Sequence, residues 1–249
     1  MPGPKDQYFG WNRKGTTPVR VSTPITLPYI GNIQNYMLIG YDRAEFQSNL
    51  TKIINNFSIM HHLFADDTEL YSSIPNEPTA ALLKLQSIEQ CCCEIKNWMD
   101  NNKLKLNETK TEVFLCGPKH RRDLIPVGNL NVAGANIPFT DHVKTLGVYF
   151  DSDLSFQHQV AFLVKTCYFH LKKLGQIHPY LNKKVSNAIA VSLIHSRLDY
   201  CNSLLTGLPK CQLKRLQSVQ NSAARVVTKS KKLDHITPVL HDLHWFSDL

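Results

Sequence analysis

HHLFADDTELYSS, residues 61–73, decides how the rest of the chain is read. Asp66 and Asp67 stand side by side between the apolar end of SIMHHLF and the run 68–73. Apolar and β-prone residues on both flanks of a short charged break predict a β-hairpin with the two aspartates at its tip. The tip lacks the Asn-Gly chemistry of the tightest hairpin turns. Two carboxylates at one point repel, so the pair needs an explanation. An exposed turn is one, because an aspartate side chain caps nearby backbone amides. A site for hard cations is the other, because carboxylate oxygens are what such ions prefer.

Working outward, Pro75 and Pro78 punctuate the chain and Asn76 is placed to cap a helix. Ala81, Leu85, Ile88, Cys92, Ile95 and Met99 then recur at steps of three and four, widened by Trp98 and ended by Asn101-Asn102. That spacing predicts an amphipathic helix of about six turns. Strands are predicted at 110–116, in short pieces over 124–139 and as one strand over 143–151. Three helices follow. Val160, Val164, Cys167, Leu171 and Leu174 mark the first, and Val185, Ile189 and Leu193 the second. The third opens at Pro209, with Leu213, Leu216, Gln220, Ala223 and Val227 on one face. Residues 1–50 carry scattered Pro, Gly and Thr and read as short strands at most. The fold class expected is α+β, with 1–50 poorly defined, a mixed α/β region over 51–154, a helical region over 155–232 and a tail over 233–249.

Charge changes sign where the pattern turns helical. Residues 155–232 hold thirteen Lys/Arg against one acid, Asp199, a net +12, while the remainder holds fifteen basic and nineteen acidic residues, a net −4. A segment this basic favours a polyanion, and nucleic acid is the commonest. Lys172, Lys173, Lys183, Lys184, Lys214 and Arg215 are the candidate phosphate contacts. No apolar run reaches the length of a bilayer span. MPGPKDQYFGWNRKG has no apolar block after its charges and does not read as a secretory signal. The expected location is therefore intracellular, nuclear or cytoplasmic. The seven cysteines show neither CxxC nor zinc-finger spacing and are read as reduced and structural.

Six segments in order carry a family resemblance. FADDTELY (64–71) resembles the catalytic motif of reverse transcriptases, an aromatic followed by Ala-Asp-Asp. WMDNNKLKLNETKTE (98–112) and VKTLGVYFDSDLSF (143–156) resemble the palm segments that follow it in LINE-type, non-LTR retrotransposons of the CR1, L2 and jockey groups. HSRLDYCNSLLTGLP (195–209), LQSVQNSAARVV (216–227) and PVLHDLHW (238–245) are similar to that family's thumb and its continuation. The resemblance implies a partial right-hand palm followed by an all-helical thumb. It also implies RNA-directed DNA polymerase chemistry on an RNA template and DNA primer, or an RNA/DNA hybrid.

In that family Asp66 is the principal Mg²⁺ ligand of a two-metal site, and Asp67 lies nearby and coordinates less directly. Lys110 matches the position proposed to donate a proton to the departing pyrophosphate; a solvated lysine at a strand start remains the other reading. The family's third carboxylate, its Gly-Val-Pro-Gln-Gly-Ser segment and its basic fingers are not recognisable in residues 1–63, and Asp42 stands only twenty-four residues before Asp66. The chain therefore reads as a truncated relic, or as a gene prediction that captured only the end of an element, inactive by itself. Without a central palm strand its sheet would have open edges and the 81–99 helix a bare apolar face, unless residues 1–50 supply a cover. A non-enzymatic nucleic-acid-binding module and a functionless relic are the alternatives. Asp199 and Tyr200 read as structural, joining thumb helices.

Overall fold

The computed structural model describes residues 16–24, 43–64, 67–106, 110–125 and 127–245. They form a mixed α+β chain that divides into two compact units, residues 1–143 with 152–154 and residues 144–151 with 155–249.

The first unit is built on a six-stranded sheet in the order β2-β3-β1-β4-β6-β5. Its strands are β1 (Thr16–Pro24), β2 (Met60–Phe64), β3 (Asp67–Pro75), β4 (Glu112–Leu115), β5 (Asn129–Val132) and β6 (Ala135–Thr140). The sequence reading anticipated a missing central strand or a cover drawn from the first fifty residues. β1 comes from those residues and lies between β3 and β4, antiparallel to both. TTPVRVSTP suits the place, being rich in β-branched residues. Its prolines fall where they cost least: only 19–22 pair with β4, so Pro18 and Pro24 each have a partner on the β3 side alone.

Two helices form the other layer of this unit. α1 (Arg43–Asn55) stands where the sequence reading expected short strands and an irregular stretch. Phe46, Leu50, Ile53, Ile54 and Phe57 are spaced by three and four, a helical stripe among polar residues, and Leu50 and Ile54 are fully buried. α2 (Pro78–Asn101) buries Ala81, Leu85, Ile88, Cys91, Cys92, Ile95 and Met99, as its periodicity predicts, against Leu70 and Ile74 of β3, Val113 of β4 and Leu130 of β5. Its cap is Glu77 rather than Asn76: the carboxylate accepts from the amides of Thr79 (3.0 Å) and Ala80 (2.6 Å), which holds its pKa below the usual carboxylate value. Burial pushes the Cys91 thiol up to about 12 and raises Cys92 too, so these two cysteines are inert packing, while Cys93 is exposed.

The predicted strand over 143–151 is instead a hairpin of β7 (His142–Thr145) and β8 (Val148–Asp151), of which residues 144–151 belong to the second unit. Leu146 and Gly147 both have positive φ, 47° and 84°, the pattern of a type I′ turn. A leucine at the first of those positions hides the turn from a sequence reading. Tyr200 donates its hydroxyl to the Leu146 carbonyl at 2.7 Å, so the residue expected to join two helices anchors this turn instead.

The longer helices of this unit are α3 (Gln157–Ile177), α4 (Lys183–Ala190), α5 (Lys210–Thr228) and α6 (Ile236–Asp242). α3 packs on α5, burying Val160, Leu163, Cys167, Leu171 and Leu174 against a face that holds Leu216, Val219, Ala223 and Val227. α4 corrects the predicted stripe of Val185, Ile189 and Leu193. The residues buried are Ser186, Ala190, Ile194 and Leu198, while Val185 is exposed. The four-residue repeat stays on one side because Val191–His195 forms a π turn, wider than an α turn.

Candidate metal-binding hairpin and basic helical faces

The hairpin stands where the sequence places it. β2 and β3 run antiparallel with Phe64 paired to Asp67, which leaves Ala65 and Asp66 as the connection. Those two residues lie outside the described ones, so Asp66, the implied principal ligand, has no described geometry. Asp67 is the first residue of β3 and is half-buried.

Alternation along β3 sorts its side chains. Leu70 and Ile74 enter the core, so Asp67, Glu69 and Tyr71 belong to the opposite face. Directly paired residues share a face, which adds Phe64 and His62 from β2. His62 stacks on Tyr71 with ring centroids 5.1 Å apart, and their Nε2 and hydroxyl groups are 3.0 Å apart. β1 places Pro24 opposite Asp67 and Ser22 opposite Glu69, and β4 places Glu112 opposite Ser22. Asp67, Glu69 and Glu112 are therefore carboxylates on one sheet face. Glu69 is almost wholly buried and Glu112 half-buried. The sequence reading missed both. Glu69 was findable, since it follows Asp67 by two along a strand; Glu112 needed the register through β1.

Lys110 is exposed and lies two residues before Glu112, so it emerges at the same end of the sheet as Asp67, with β1 between. Two strand spacings of about 4.8 Å separate those backbones. The topology brings the two into one neighbourhood without direct contact between their strands.

Among the described residues the donor set does not complete a magnesium site. Carboxylate oxygens are the right chemistry. Among the described residues, however, no three His, Cys, Asp or Glu side chains gather closely enough to hold an ion.

The six basic candidates lie in the second unit, and all are exposed. Lys172 and Lys173 sit late in α3, and the Lys173 ammonium lies 5.9 Å from the Phe169 ring centroid. Lys183 and Lys184 open α4, whose cap is Asn182 accepting from the Val185 amide at 2.9 Å. Lys183 also pairs with Asp242, a solvent-exposed ion pair that contributes little stability. Lys214 and Arg215 lie in the first two turns of α5, where the Arg215 guanidinium donates to Gln212 at 2.8 Å. No described helix is long and apolar enough to cross a membrane. No protein-family model, curated protein or solved structure matches the chain.

Proposed function

We propose that these residues are the palm and thumb part of an RNA-directed DNA polymerase of the non-LTR retrotransposon kind, unable to polymerise by themselves. The observation that supports the reading is the β2–β3 hairpin. It pairs Phe64 with Asp67 and so leaves the Ala-Asp of the motif at the connection, at one end of a mixed sheet backed by α2. A polymerase active centre uses two Mg²⁺ ions to stabilise the attacking and leaving oxygens. Among the described residues no group of three His, Cys, Asp or Glu gathers to hold an ion, so the ligand set they offer is incomplete. Positioning and charge stabilisation supply most of phosphoryl-transfer catalysis, and an incomplete set leaves little of either.

Primer extension tests this, with an RNA template, a DNA primer and Mg²⁺ or Mn²⁺, beside a D66A/D67A variant. The expected result is no extension by either protein. Extension abolished in the variant would mean that Glu69, Glu112 or another acid completes the site.

Non-enzymatic nucleic-acid binding is the second reading, favoured by the exposure of all six basic candidates on one unit. Its signature is sequence-independent affinity that falls steeply with salt. Neutralising the six side chains should flatten that dependence.

A further inference from the structure

α3 shows more apolar surface than its packing needs. Its buried stripe of Val160, Leu163, Cys167, Leu171 and Leu174 already fills one side. On the other, Phe162 is 36% and Phe169 58% exposed. Seven residues separate them, so they lie on the same side of the helix within about 20°, about 10 Å apart along its axis. Phe169 is more than half exposed and Phe162 about a third, and it is exposed apolar surface that adjoins, rather than single exposed side chains, that marks a contact site.

Each ring is attended by a cation. The Lys144 ammonium lies 5.3 Å from the centroids of both Phe162 and Tyr149, whose rings are themselves 5.2 Å apart. Lys173 lies 5.9 Å from Phe169. Lys165 and Lys172 are exposed on the same side, and α3 contains no acid at all. Every one of these residues belongs to the second unit.

We propose that this face of α3, centred on Phe162 and Phe169, is a stacking platform for single-stranded nucleic acid. Charge complementarity selects a polyanion, since the surrounding segment carries thirteen basic residues and one acid. The rings select one whose flat faces are free. Bases inside a duplex are stacked on each other and cannot lie on a phenylalanine, whereas those of a single strand can. Ammonium groups beside the rings are placed to meet the phosphates on either side of a stacked base. The proposal rests on the reading that the basic unit meets nucleic acid, and it adds the strandedness and the residues that choose it.

Fluorescence anisotropy of the full chain with a twenty-nucleotide oligo(dT), an oligo(U) and a blunt duplex of equal length, at three salt concentrations, separates the possibilities. F162A/F169A should weaken single-strand binding about tenfold or more at every salt concentration, since each stacked base contributes on that order. The salt slope and the duplex affinity should stay as they were. F162L/F169L, which keeps the apolar bulk, should behave like the alanine variant and so exclude a folding defect. K165Q/K172Q/K173Q should instead flatten the salt slope. F169W should retain single-strand binding and show tryptophan quenching on addition of oligo(dT). Unchanged single-strand affinity in both phenylalanine variants, with the wild type binding, would overturn the platform and leave the basic-surface reading standing. Binding to anionic vesicles but to no oligonucleotide would overturn both.

Discussion

Asp67 and Lys172 are both charged residues on regular elements, yet they are positioned by different means. Asp67 opens a strand whose neighbours come from residues 60–64 on one side and 16–24 on the other. Lys172 stands on a helix made wholly from residues 157–177. The carboxylate face exists only when segments forty to ninety residues apart in sequence have paired. The basic faces are set by local i, i+4 geometry as soon as their helices form. Pairing between distant segments must overcome loop-closure entropy before it contributes stability, and local helix contacts do not. The candidate active-site end of the molecule is thus its most conditional part, and β1 is the element on which it depends.

The largest effect should come from breaking β1. Val21 pairs with Leu70 of β3 and Val113 of β4, so it lies in the stretch laddered on both sides. A proline there removes an amide donor from the middle of the sheet. Val21→Pro is expected to abolish slow amide exchange across 67–75 and 112–115 while leaving α5, residues 210–228, as protected as before. Loss of protection in α5 as well would mean that the two units fold as one, and the contrast between them would fail.

The same contrast explains what a reader of the sequence could see. α2 was legible because seven buried side chains repeat at helical spacing within one stretch. The hairpin was legible because its two strands are neighbours. β1 was not, since nothing in TTPVRVSTP announces partners fifty and ninety residues away. The face shared by Glu69 and Glu112 was hidden for the same reason. Within the helical unit the misreadings were local. Leu146 occupies a turn position that usually takes Asn or Gly, and the α4 stripe runs through Ser186 and Ala190, which an eye looking for large apolar residues passes over.

A smaller effect tests whether the helical unit is as local as it looks. α3 enters through Phe156, which has a φ of 53° and gives no side-chain cap. The free amides there are served from the preceding hairpin. Asp151, at the end of β8, accepts from the Ser155 amide at 2.5 Å, the Ser155 hydroxyl at 3.0 Å and the Gln157 amide at 3.2 Å. Asp151→Ala leaves those donors without their acceptor and should cost about 1–3 kcal/mol, measured by urea denaturation. A cost near zero would show that the entry to α3 is solvated and that the hairpin adds nothing to it. This acid, one of those in the segment resembling a palm motif, is then explained by structure without any metal.

Acid sensitivity should be the smallest effect, and it has the same sign in both units. His195 packs on Trp245 with ring centroids 4.1 Å apart, its Nε2 is buried without a hydrogen-bond partner, and desolvation lowers its pKa, partly countered by Asp199. In the other unit His61, whose Nε2 is 3.2 Å from the Thr51 hydroxyl, is lowered chiefly by desolvation too. A histidine with a lowered pKa in the fold takes up its proton more readily when unfolded. Its contribution is fully present above the ordinary value of 6.5 and is lost as pH falls from there through the folded pKa. The chain should therefore melt at lower temperature at pH 5 than at pH 7.5. His195→Gln should flatten that dependence when followed by exchange in α5, and His61→Gln when followed in β3. If His195→Gln left the pH profile of α5 unchanged, the ring would have to escape to solvent on protonation, and its packing on Trp245 would not be a fixed contact of the helical unit.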